Sequence, residues 1–84
     1  MADKSSTMLF SSAEIEQEYI HQLLVSVEAA LKERGYNAVN QLSGYLLSGD
    51  PAYISSHNGA RANIQKVERF EIIEELVRHY LESK

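Results

Sequence analysis

The sequence predicts an all-α fold: a small bundle of about four to five helices, homodimeric, with a disordered N-terminal tail. Three observations lead there. Apolar residues recur at helical spacing through most of the 84 residues. No alternating β period lasts more than a few residues, and the glycines at 35, 44, 49 and 59 are dispersed, several of them where helical stretches end. A chain this short buries only about 60–65% of its unfolded surface, and without cysteine it has no disulfide to staple it. Association with a second copy is the common remaining way to gain buried area.

Residues 1–10 read as a flexible tail and 11–84 as a single helical domain. Ser11 and Glu14 form an S-x-x-E capping box, with Phe10 at N′ and Ile15 at N4 as the ends of a hydrophobic staple. Ile15, Tyr19, Ile20, Leu23, Leu24, Val27, Ala30 and Leu31 then recur along one face. Glu14, Glu16 and Glu18 near the start, and Lys32 and Arg34 near the end, complement the helix dipole. Gly35 supplies the left-handed residue of a Schellman cap, with Tyr36 folding back on Leu31. The spacing predicts a helix from about 12 to 34.

A second helix is expected over 38–48, capped by Asn37 and ended by Gly49, with Val39, Leu42, Tyr45, Leu46 and Leu47 as its apolar stripe. Gly44 inside it is unfavourable by up to ~1 kcal/mol relative to alanine, which suggests a close helix crossing. Asp50-Pro51 reads as an N-cap and first residue of a single turn reaching Ile54, and residues 55–59, Ser-Ser-His-Asn-Gly, as a loop. Residues 60–82 lack glycine and proline, yet their apolar phase changes. Ala60, Ile64 and Val67 share one face, while Ile73, Leu76, Val77 and Tyr80 share another roughly 150° away. A straight helix cannot bury both stripes on one core. The expectation is a break near Glu68 to Glu71, dividing helices of about 60–67 and 70–82.

Composition narrows the function classes. A net charge of −4 argues against binding nucleic acid or an anionic membrane surface. No stretch resembles a signal peptide or approaches transmembrane length, and a cytoplasmic location is expected. His21, His57 and His79 are scattered, with only Glu75 and His79 at i, i+4, too few groups for a metal site. No nucleophile motif or phosphate-cradling glycine loop is present, so neither an enzyme nor a cofactor is expected.

Charge is unevenly placed. Residues 11–28 carry Glu14, Glu16, Glu18 and Glu28 without a lysine or arginine, and residues 71–82 carry Glu71, Glu74, Glu75 and Glu82 against Arg78 alone. Between them stand Arg61, Lys66 and Arg69, which would fall within about 140° of arc on an ideal helix. By residue type they are either a solvated face or a docking surface for acidic or phosphorylated groups. In the tail, Ser5, Ser6 and Thr7 precede the apolar run Met8-Leu9-Phe10. A phosphate there adds about −1.5 to −2 charge shortly before a helix start. Composition does not separate that role from an inert tail.

The ordered string "GYNAVNQLSGYLLSGDPAYI", continuing into "HNGARANIQKVERFEIIEELVRHYL" and preceded by "TMLF", resembles the IreB/ReoM family of small regulatory phosphoproteins of Gram-positive bacteria. The resemblance implies an all-helical cytoplasmic homodimer, phosphorylated by a membrane-anchored PASTA-domain Ser/Thr kinase and dephosphorylated by a cognate phosphatase. It implies control of peptidoglycan synthesis and cell-wall antibiotic tolerance, acting through Clp-protease turnover of a wall-precursor enzyme. The threonine of the family's Thr-Met pair is here Thr7, the only threonine in the chain. The family's basic partner surface is represented by Arg61, Lys66 and Arg69.

The chain departs from the family pattern at Ala38, where proline is usual, at Ser55-Ser56, where Pro-Arg is usual, and at Gln65, where arginine is usual. Phe70 replaces an aspartate expected to cap the last helix. The alternative to a phospho-switch is a constitutive helical dimerisation and interaction module.

Overall fold

A computed structural model describes residues 11–83, which form four α-helices and two short 3-10 turns, with no strand among the described residues. The tail, and with it Thr7 and the Phe10 end of the staple, lies outside the described residues. Helix α1 (Ser12–Glu33) starts on the expected capping box. The Glu14 amide donates to Ser11 Oγ at 3.1 Å, and the Ser11 amide donates to Glu14 Oε1 at 3.1 Å. It ends on a Schellman cap: Gly35 has φ 80°, its amide donates to the Lys32 carbonyl and the Tyr36 amide to the Leu31 carbonyl, both at 2.9 Å.

The chain thereby reverses into α2 (Ala38–Ser48), where the Asn37 side chain accepts from the Asn40 amide at 3.0 Å. Gly49, at φ 78°, closes α2, and Asp50 Oδ1 caps the turn Pro51–Tyr53 by accepting from the Ala52 amide at 2.9 Å. A second turn, His57–Gly59, leads into the short α3 (Ala60–Ile64), and α4 (Arg69–Glu82) follows.

The core lies along α1. Ile20, Leu23, Val27, Ala30 and Leu31 are buried against Ile54, Ala60, Ile64, Val67 and Ile72, while Tyr45 and Ala38 tie in α2. Each fully buried aliphatic side chain contributes about 1.5–3 kcal/mol by removal from water. α3 packs beside α1, and α2 packs mainly on the Pro51–Tyr53 turn.

Several expectations are corrected. The redirection expected near Glu68 to Glu71 stands at Glu68, which is extended at ψ 144°, but α3 ends sooner than expected, at Ile64, and Val67 reaches the core from outside any helix. Phe70 therefore lies inside α4 rather than at its cap. The cap position belongs to Glu68, whose side chain makes no capping bond. Gly44 marks no helix crossing: the ring of Tyr53 lies against it, so close that a Cβ there would strike the ring carbons. Ile15 and Tyr19, read as part of the inward face of α1, are exposed, as are Val39 and Leu47 of α2. In α4 only Ile72 is buried. Ile73, Leu76, Val77 and Tyr80 face away from the core that holds Ile64 and Val67.

Candidate functional site

The break before α4 puts the three basic residues on separate segments of the chain. Arg61 sits on α3, Lys66 in the connection and Arg69 at the first position of α4. Arg61 Nε donates to the Ile54 carbonyl at 2.8 Å, which pins the loop before α3. Arg69 Nη1 donates to the Leu46 carbonyl at 2.9 Å, with its guanidinium lying over Gly49. Leu46 is in the last turn of α2, where carbonyls lack helical partners and the dipole favours a cation.

Both arginines are therefore structural struts, a role that residue type alone did not reveal because the acceptors are backbone atoms distant in sequence. Each spends one N–H of a five-donor fork, and both side chains stay exposed. No carboxylate among the described residues pairs with Arg61, Lys66 or Arg69.

A polar cleft not singled out by sequence lies at the C-terminal end of α1, lined by Arg34, Tyr36, Ser55, Ser56 and His57. Glu33 holds it together, with His57 Nε2 at 2.8 Å and the side-chain Nδ2 of Asn58 at 3.4 Å from the same carboxylate oxygen. Asn58, at φ 54°, and Gly59, at φ 72°, give the turn its shape. At the opposite end of α1, Glu16 faces Glu71, Glu74 and Glu75 of α4 across a narrow cleft, where Arg78 is hydrogen-bonded to Glu75.

Two further surfaces are apolar. A groove between α1, α2 and α4 is lined by Leu24, Val25, Val39, Leu42, Leu46 and Leu76. His21 and His79 border the same groove, although no group of three or more His, Asp or Glu among the described residues is placed to hold a metal ion. Along α4, Phe70 (68% exposed), Ile73, Val77 and Tyr80 (70% exposed) form an uncovered stripe. They follow one another by three, four and three residues, the spacing of a helix–helix seam. No helix among the described residues is long and apolar enough to cross a membrane.

This arrangement offers surfaces for association. The profile of the family described as IreB regulatory phosphoprotein matches residues 5–82, from just before Thr7 to the end of α4. The chain belongs to the IreB family. It is also 53% identical over 79 residues to a UPF0297 protein of Acetivibrio thermocellus, an alignment covering 94% of this chain and 88% of that one. Membership supports a regulatory role, and the all-helical fold of the described residues is the one expected from the resemblance.

Proposed function

We propose that this IreB-family chain is a non-enzymatic cytoplasmic homodimer that regulates peptidoglycan synthesis and cell-wall antibiotic tolerance. A PASTA-domain Ser/Thr kinase and its cognate phosphatase set its state at Thr7. The observation that carries the reading is the match to a regulatory phosphoprotein family over a span that includes the chain's only threonine. Arg61, Lys66 and Arg69 form the partner surface, through which the unmodified protein promotes Clp-protease turnover of a wall-precursor enzyme. Support for that surface is modest in extent but consistent in sign: three exposed bases without carboxylate partners among the described residues, on an otherwise acidic chain.

The second copy covers the α4 stripe, since Phe70, Ile73, Val77 and Tyr80 have seam spacing and no cover from the chain's own described residues. Replacing Thr7 by alanine and by glutamate tests the switch in cells. Opposite shifts in wall-enzyme level and antibiotic tolerance support it. Two variants indistinguishable from the parent favour the constitutive dimerisation module instead.

A further inference from the structure

The first turns of α1 expose an apolar shelf beside the one apolar run in the sequence that the reading above leaves without a role. Ile15 is 59% exposed and Tyr19 48%, one helical turn apart, and with Ser12 and Glu16 they border a shallow hollow. The first side chain of α1 buried in the core is Ile20. Immediately upstream stand Met8, Leu9 and Phe10.

The Ser11 cap sets the geometry between shelf and run. A residue at N′ commonly packs on N4 across such a cap, and Phe10 and Ile15 hold those two positions in the sequence. Met8 is three residues from Ser11, a reach of at most about 10 Å. Tyr19 lies about 12 Å along the helix from Ser11, a difference within the length of a methionine side chain. A segment folded back in this way brings Thr7 alongside the early turns of α1.

The charge there is of one sign. Glu14, Glu16 and Glu18 project from these turns, and α1 has no lysine or arginine before Lys32. Glu16 also faces Glu71, Glu74 and Glu75 of α4, where Arg78 is engaged by Glu75. The helix N-terminus itself attracts an anion with an equivalent of only about half a charge, and it already holds the Glu14 carboxylate through the capping box. Three α1 carboxylates outweigh it.

The polar cleft containing Arg34 and His57 offers no same-chain alternative. Its anchor Glu33 lies 22 residues along α1 from Ser11, about 33 Å, whereas the four residues from Ser11 back to Thr7 span at most about 14 Å.

We propose that Met8, Leu9 and Phe10 fold back onto Ile15 and Tyr19 in the unmodified chain, and that a phosphate on Thr7 releases them by repulsion from the acidic face. The release step rests on Thr7 as the phosphoacceptor; the docking step does not.

The test is methyl NMR on the full chain labelled at its methionines. The expected result is a nuclear Overhauser contact between the Met8 methyl and the Tyr19 ring. Tyr19→Ser should move the Met8 resonance to that of an exposed methionine. Thr7→Glu should weaken the contact, enzymatic or semisynthetic phosphorylation at Thr7 should abolish it, and Glu16→Gln with Glu18→Gln should restore it in the modified chain. A Met8 resonance that ignores Tyr19→Ser overturns the docking. So does a Met8 contact to a second copy in mixed-label samples. A contact that survives phosphate on Thr7 overturns the release. Failure of a kinase to modify Thr7 instead removes the phospho-switch of the preceding subsection, while the Tyr19→Ser result still decides the docking.

Discussion

Replacing Gly44 with alanine sets two effects of opposite sign against each other. Helix propensity alone favours alanine by up to about 1 kcal/mol inside α2. Against this, the new Cβ would stand within 3.0 Å of three ring carbons of Tyr53, where carbon pairs settle at about 3.5–4.0 Å. The backbone of Tyr53 has little freedom to retreat. Its amide donates to the Asp50 carbonyl at 3.2 Å, its carbonyl accepts from Gln41 Nε2 at 2.9 Å, and the next residue, Ile54, is wholly buried. The ring must therefore swing off α2 and give up its packing.

Overpacking of this kind costs about 1–3 kcal/mol, so the clash wins and Gly44→Ala should lose about 1–2 kcal/mol net. In a domain this small that lowers the melting temperature by roughly 4–8 °C per kcal/mol. In a Tyr53→Ala background nothing remains to be struck, and the same substitution should stabilise by about 0.5–1 kcal/mol. Urea unfolding of the four proteins followed by far-UV circular dichroism, at one protomer concentration because association adds to apparent stability, measures both steps. A Gly44→Ala protein as stable as its parent would refute the reasoning.

The other predictions follow from the same packing. Arg61→Ala should destabilise by about 1–2 kcal/mol through loss of a charged hydrogen bond to the Ile54 carbonyl, whereas Lys66→Ala should stay within about 0.5 kcal/mol. Equal effects in urea titrations would contradict the assignment of Arg61 as a strut. Val77→Asp places a charge in the middle of the α4 stripe and should convert a species of twice the 9.5 kDa chain mass into a single chain in sedimentation. A parent protein that sediments only as one chain at micromolar concentration would remove the dimer.

What was legible in the sequence was mostly local. The Ser11–Glu14 box, the Asn37 and Asp50 caps and the glycines ending α1 and α2 depend on residues within a few positions of one another, and each stands as read. The break before α4 was also visible, since two apolar phases cannot serve one core, and Glu68 lies in the expected stretch; the early end of α3 at Ile64 was not visible. Extended Glu68 redirects the chain while Val67 stays in the core outside any helix. Contacts between distant residues escaped altogether. Nothing near Gly44 announces Tyr53, and nothing near Arg61 or Arg69 announces the carbonyls of Ile54 and Leu46. Periodicity likewise identified the apolar residues of α4 without saying that most face outward. Composition left the role of Thr7 open, and the proposal for it rests on its place in a family pattern.

The central claim is that this chain is switched at Thr7, and a phosphosite map tests it most directly. The full-length protein is incubated with the catalytic domain of a PASTA-domain Ser/Thr kinase and magnesium ATP, and modified residues are assigned by tandem mass spectrometry. The account predicts phosphate on Thr7, its removal by the cognate phosphatase, and loss of labelling in Thr7→Ala. Phosphate confined to Ser5, Ser6 or residues of the helical domain, with Thr7 unmodified, would contradict it.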